Sequence, residues 1–188
     1  KLFLNLQEQF NDKITLINDD ILKFDEYSLS KDKLTVFGNL PYNISTEILS
    51  KWIINLKDDN FWFDSLTLMF QKEVADRILA KFNTSNYGRL TVLANWKLDI
   101  EKICDISPSC FLPKPKVESS LLFFKPKKYF LKLKSSKNLE IITRTFFNQR
   151  RKMIKHPIRQ LFKNSEEISK KLNLNLNLRP QNLSSKQF

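Results

Sequence analysis

The ten residues Phe37 to Thr46, FGNLPYNIST, constrain this chain more than any other stretch. The apolar residues Leu34, Val36 and Phe37 run into Gly38, and Asn39, Leu40, Pro41 and Tyr42 then make a corner. Pro41 fixes its own φ and disfavours the helical conformation at Leu40. Ser45 and Thr46 suit the cap of a helix through Ile48, Leu49, Trp52 and Ile53. A strand that stops at a rigid corner and becomes a helix is the unit from which α/β sheets are built. In open sheets of that kind, ligands bind at the carboxyl ends of strands.

The rest of the chain keeps this rhythm and then breaks it. Leu2 to Phe10 reads as a helix end, and Ile14 to Ile17 (ITLI) as a short strand before Asn18-Asp19-Asp20. Leu34 to Phe37 is the next strand, and its helix runs from about Thr46 to Leu56. A third strand, Leu66 to Phe70, leads into a helix bearing Val74, Ile78 and Leu79. This alternation predicts a parallel sheet of doubly wound type. After a turn at Asn86-Tyr87-Gly88, Leu90 to Trp96 reads as a short helix. Leu98 to Ile103 and Val117 to Phe124 then read as strands with no helix between them. That predicts an antiparallel pair at the sheet edge.

Past Pro126 the composition changes. Leu139, Ile142, Phe146, Met153 and Ile154 mark a basic amphipathic helix stopped by Pro157. Ser165 can cap a further helix bearing Ile168 and Leu172. The alternation in NLNLNL has the period of a strand but lies between helical signals. A domain boundary is expected near residue 128, giving segments 1–128 and 129–188.

The net charge is +12, and its distribution matters more than its size. Residues 125–163 hold thirteen of the 32 Lys and Arg residues but one acid, Glu140, so the remainder is balanced. A neutral body with one basic segment suits a polyanion, most simply nucleic acid. A solvated basic face is the plainer alternative. No apolar run approaches 18 residues, so no membrane span is expected. Cys104, Cys110 and the single histidine, His156, form no metal-binding spacing. A reduced, cytoplasmic monomer that uses no metal is expected, with a Cys104–Cys110 disulfide as the alternative. Neither of the two glycines, Gly38 and Gly88, follows the first strand, where a doubly wound cofactor domain carries its glycine-rich turn. The chain also begins with Lys1 and ends just past a helix-start signal at Ser184-Ser185, so it reads as a fragment.

GNLPYNIST resembles the adenine-N6 methyltransferase motif, in the longer form found in ribosomal RNA adenine dimethyltransferases. Other segments look like that family in the expected order: NDDIL around Asp20, FQKEVADRILA (70–80), NYGRLTVLANW (86–96), FLPKPKVESSLLFF (111–124), FFNQRRKMIKHPI (146–158) and LRPQNLS (178–184). FNQRRK followed by RPQNLS looks like the small-subunit (KsgA) branch. The large-subunit macrolide-resistance branch shares the earlier motifs. The resemblance implies a Rossmann-like class I methyltransferase sheet, incomplete here, with a small all-helical C-terminal domain. It implies S-adenosylmethionine as methyl donor and adenines of small-subunit rRNA, in the immature small ribosomal subunit, as substrate. A pair of adjacent, dimethylated adenines is the usual target. A chain that has lost catalysis and only binds RNA during ribosome assembly is the alternative from another class.

The chemistry explains why such a corner is needed. The adenine N6 lone pair is delocalised into the ring, so the nitrogen is a poor nucleophile. Two acceptors on its hydrogens hold it where the lone pair is exposed and in line with the methyl group. The resemblance assigns these to the Asn39 side chain and the Leu40 carbonyl, with Pro41 holding Leu40 extended. Such positioning can supply up to ~7–11 kcal/mol without a general base. Tyr42 would stack on the extruded adenine, worth ~1–3 kcal/mol, or be an ordinary half-buried tyrosine. Asn39 alone could equally be a turn residue. Asp20 would bind the cofactor's adenine amino group beside Asn39, with Asp19 as competitor. Phe111 would be a second aromatic wall of the substrate pocket, or a loop anchor. Arg150, Arg151 and Lys152 would contact RNA phosphates, or line a solvated helix face.

Overall fold

Strand β1 (Leu34–Asn39) and helix α2 (Ser45–Asn55) form the expected strand-corner-helix unit. The computed structural model describes residues 2–10, 13–58 and 60–188, apart from the side chain of Leu2. Helix α1 (Leu2–Phe10) precedes this unit. Strand β2 (Phe63–Gln71) then leads straight into α3 (Lys72–Ile78). Helix α4 (Arg89–Lys97) runs directly into β3 (Leu98–Ile106), and β4 (Ser119–Pro126) returns beside it.

The four strands lie in the order β1-β2-β4-β3. β1 and β2 are parallel, as their helical crossover α2 requires, whereas β4 is antiparallel to both β2 and β3. The expected antiparallel pair is present, with β3 at the edge. The α/β class is as expected.

One sheet face carries the core. Leu66, Leu68 and Phe70 alternate along β2 beside Leu122 and Phe124 of β4, all without solvent exposure. They meet Ile48, Leu49 and Ile53 of α2 and Ala94 of α4. The opposite face is open at Phe37, which is 78% exposed. Lys97 is 1% exposed, and its ammonium is held by the Leu56 carbonyl and Asp58, both at 2.7 Å, over the Trp96 ring.

Beyond β4, α5 (Ser136–Asn148), α6 (Lys155–Leu161) and α7 (Ser165–Lys171) follow in succession. Leu139 of α5 packs with Tyr87, Val92 and Leu93, which joins the helical segment to α4. Phe146, Ile154, Ile158 and Leu183 form a separate cluster. Among the described residues no helix is long and apolar enough to cross a membrane, and no group of side chains could hold a metal ion.

Several local expectations are corrected. Ile14 to Ile17 is not a strand: β1 is the edge of the sheet, and the segment joins no ladder. The basic helix ends at Asn148 rather than at Pro157, which sits in the first turn of α6, where a missing N–H leaves no bond unmade. The break is filled from elsewhere, because Ile154 and Lys155 donate their N–H groups to the carbonyls of Leu178 and Leu176. NLNLNL is accordingly no strand, although Leu174, Leu176 and Leu178 do turn inward and their asparagine neighbours outward. Ser45 and Ser165 are first helical residues rather than caps; Ile44 and Asn164 occupy those positions.

Gly38 sets how closely β1 approaches its neighbour. A Cβ there would lie 2.7 Å from Cδ2 of the buried Leu68 and 3.2 Å from Cδ2 of Leu40. Gly38→Ala should therefore destabilise the fold by about 1–3 kcal/mol through overpacking. Urea unfolding should show a lower midpoint at unchanged slope.

Candidate active site

The corner after β1 is fastened by its own backbone. Ile44 donates its N–H to the Pro41 carbonyl at 3.1 Å, and Glu47 and Ile48 donate theirs to the Ile44 carbonyl to start α2. The buried Ser45 hydroxyl donates to the Tyr42 carbonyl at 3.2 Å. Residues 41 to 48 are thus a continuous stapled bend. Asn39, the last residue of β1, lies at its mouth and is exposed. Its side-chain amide has no hydrogen-bond partner among the described residues. Tyr42 is half-buried, and its hydroxyl lies 2.5 Å from Ser119 Oγ.

The 19–28 loop lies on the other flank of β1. Asp20 bends back on itself: Oδ1 accepts from the Leu22 N–H at 3.0 Å, and its carbonyl accepts from Lys23 and Phe24. Asp19 Oδ1 accepts from the Asp20 N–H at 2.7 Å. Both acids are exposed. A cleft of about 320 Å³ separates this loop from β1, with Ile21, Phe24, Val36, Gly38 and Leu40 as walls. Asp19, not Asp20, lines it.

A buried ion pair fixes that loop to α2. Lys51 Nζ donates to Glu26 Oε1 at 2.6 Å, to the Ile21 carbonyl at 2.8 Å and to the Phe24 carbonyl. Trp52 Nε1 donates to the same Glu26 oxygen at 2.6 Å. The Lys51 and Glu26 side chains are 14% and 7% exposed.

The loop between β3 and β4 ends at Ser119, whose hydroxyl meets that of Tyr42 at the corner. Phe111 is half-buried just after a single 3₁₀ turn, and Leu112 beside it is wholly exposed. The loop's end is anchored by Lys72, which pairs with Glu118 at 2.5 Å and Asp105 at 3.6 Å. Asp105 also accepts from Ser120 Oγ at 2.6 Å, and this bond, with help from Lys102, holds its carboxyl below the usual range.

The basic residues separate into two kinds. Arg150 is half-buried and donates to Gln181 Oε1 at 3.3 Å and to the Ser85 carbonyl, so it ties α5's end to the 85–88 turn. Arg151 and Lys152 are exposed. A larger cleft of about 950 Å³ opens between α2, α4 and α5, with Lys51, Arg77, Arg89, Lys137, Arg144 and Arg150 on its walls.

Lys51, Glu26 and Ser119 are the participants that motif reading passed over. Lys51 had a signal, a cation three residues after Ile48 and next to Trp52 on the apolar side of α2. Glu26 and Ser119 had none, because their partners lie 26 and 77 residues away in the chain. Removing one member of the buried pair tests its weight. Lys51→Met should cost about 3–5 kcal/mol because it strands the Glu26 charge, and adding Glu26→Gln should recover at least half of that loss. Urea unfolding of the parent and the two variants reads both outcomes.

The whole chain, residues 1–188, matches the family described as ribosomal RNA adenine dimethylase. It is 63% identical over 182 residues to the ribosomal RNA small subunit methyltransferase A of Pelagibacter ubique, covering 97% of this chain and 69% of that protein. The protein of the same name from Ehrlichia ruminantium is 45% identical, with 96% and 68% covered. A dimethyladenosine transferase from Plasmodium falciparum shares the fold, with a TM-score of 0.67 at 24% identity over 97% of this chain and 72% of that one. The 23S rRNA methyltransferase ErmE does so with a TM-score of 0.62 at 18% identity over 99% and 74%. With a family match along its full length and relatives of up to 63% identity among those described, this chain belongs to the ribosomal RNA adenine dimethylases.

Proposed function

We propose that this protein transfers methyl groups from S-adenosylmethionine to N6 of adenines in small-subunit rRNA, dimethylating two adjacent adenines of one loop. The single observation that carries the reading is the Asn39 amide, which has no partner among the described residues and is held at the mouth of a stapled corner beside Leu40 and Pro41. The small-subunit target rests on the names of the relatives. The cleft between β1 and the 19–28 loop fits the nucleoside end of the donor, since apolar walls suit a purine and a rim carboxylate suits its amino group. The bound donor supplies an electrophilic methyl group.

The residues of the corner supply the geometry. In the first transfer Asn39 Oδ1 and the Leu40 carbonyl accept the two N6 hydrogens and keep the lone pair from the ring. In the second, one of them holds the single hydrogen that remains. Each transfer releases one N6 proton to solvent and leaves the donor as its thioether. Tyr42 stacks on the extruded base, and Phe111 forms the opposite wall. Positioning of this kind needs no titrating base. At the cofactor end, Asp19 and Asp20 divide the work: Asp20 shapes the loop and Asp19 faces the cleft. The chain divides near residue 128, and the basic helices of 129–188 hold RNA by its phosphates. Arg151 and Lys152 are free to do so, whereas Arg150 holds the two parts together.

Two experiments test this reading. Expressed from its complete reading frame, the protein should methylate unmethylated small-subunit rRNA, and Asn39→Ala should lower kcat at least tenfold, a barrier change of at least ~1.4 kcal/mol. RNA affinity should stay within a few-fold, because binding runs through phosphates. Methylation of large-subunit RNA alone, or near-normal kcat in the variant, would overturn it. Second, Arg151→Gln with Lys152→Gln should flatten the slope of log K against log salt by about 1.5, at ~0.7–0.9 per lost phosphate contact. Filter binding over a salt series measures it, and an unchanged slope would remove these residues from the RNA face.

A further inference from the structure

We infer that Ser119 is a positioning residue for Tyr42: it pins the tyrosine ring in the plane needed to receive a target adenine. The inference rests on the proposed function and extends it to a residue outside the corner motif. Tyr42 is joined to the fold at two points. Its backbone sits in the stapled bend, where Ser45 and Ile44 fasten residues 41 to 45. Its hydroxyl lies 2.5 Å from Ser119 Oγ. With both ends of the ring axis held, the ring cannot swing about χ1.

Ser119 is a firm anchor for such a bond. It has no solvent exposure, and it is the first residue of β4, which lies between two strands. Its Cα is in register with Gln71 of β2 on one side and with Ile106 of β3 on the other. Its neighbours are anchored too: Glu118 accepts from Lys72 Nζ, and Ser120 donates to Asp105. A buried hydroxyl in a doubly paired strand moves little, so its partner inherits that rigidity. Stacking is worth most when the aromatic platform is already in place, because no rotamer freedom is then lost as the base arrives.

The plainer role for Ser119 is to satisfy a tyrosine hydroxyl and stabilise the fold. The two roles separate on kinetics. Ser119→Ala and Tyr42→Phe each remove the same bond and keep the ring. Each should lower kcat for methylation of small-subunit rRNA about fivefold to tenfold, with KM for RNA within twofold. The double variant should be no slower than either single one, since only one bond is lost. Ser120→Ala, one residue along and bonded to Asp105, should stay within twofold of the parent enzyme. A purely stabilising Ser119 would lower the unfolding midpoint and leave kcat unchanged, which overturns the inference while methylation itself upholds the proposed function.

A second measurement needs no activity. In protein labelled with 3-fluorotyrosine, the ¹⁹F resonance of Tyr42, assigned through Tyr42→Phe, should shift and broaden in Ser119→Ala and stay put in Ser120→Ala. If the protein methylates no rRNA, the proposed function fails and this arm decides the pinning alone. An unchanged Tyr42 resonance in Ser119→Ala overturns it.

Discussion

The close approach of β1 to β2 at Gly38 governs where the corner begins. Gly38 is in register with Leu68, and no room remains between the Gly38 backbone and that buried side chain for even one more carbon. The parallel ladder continues one residue further, to Asn39 opposite Met69, and there it ends. Asn39 therefore leaves the sheet at a position set by core packing rather than by loop preference. Cores behave as close-packed solids, so a position defined this way varies little. The corner needs that certainty because its proposed work is geometric.

Two further devices carry the certainty outward, and they differ in kind. On one flank, the Lys51–Glu26 pair joins the 19–28 loop to α2 through a charge network of four short bonds to one another, two carbonyls and Trp52. Such a pair adds little net stability over apolar residues, but it fails badly if broken, which makes it selective for one arrangement. On the other flank, the hydroxyl contact of Tyr42 with Ser119 brings β4 to the corner without any charge. Lys72, Glu118 and Asp105 then hold the adjoining loop end from the exposed side. The buried bonds define position, and the exposed pairs, screened by solvent, add little beyond guidance.

Much of this was legible in the sequence, and what was not has physical reasons. Strand-helix units showed because their periods and breakers are local: β1, α2, β2, α3, α4 and the β3–β4 pair all lie where periodicity put them. Ile14 to Ile17 failed because a β-rich tetrapeptide becomes a strand only if an edge receives it. The end of α5 failed because Leu176 and Leu178 supply the acceptors that break the helix, more than twenty residues downstream. In the candidate site, Asn39 to Tyr42 were legible as a rigid string, and Asp20 as an acid after an apolar run. Which of Asp19 and Asp20 faces the cleft was not, because that depends on how the Asp20 side chain caps its own turn.

The basic segment shows the same limit in charge. Thirteen cations and one acid read as a surface for a polyanion, yet sequence cannot say which cations are already engaged. The one acid, Glu140, pairs at 3.1 Å with Arg89, whose pKa burial lowers and Glu140 raises. Arg150 joins residues 85 and 181 and so holds the helical segment to the body. Both contacts draw on charge to fix α5 and its C-terminal end to α4 and the 85–88 turn. Arg151 and Lys152, exposed like Lys134, Lys137, Arg144, Arg159 and Lys163, stand on the α5–α6 turn, whose Ile154 and Lys155 N–H groups are held by the Leu178 and Leu176 carbonyls. On the proposed reading, the internal arginines set the distance between phosphate contacts and corner, and the external ones set the salt dependence. Affinity and methyl transfer then separate under mutation even though the residues share one short stretch of sequence.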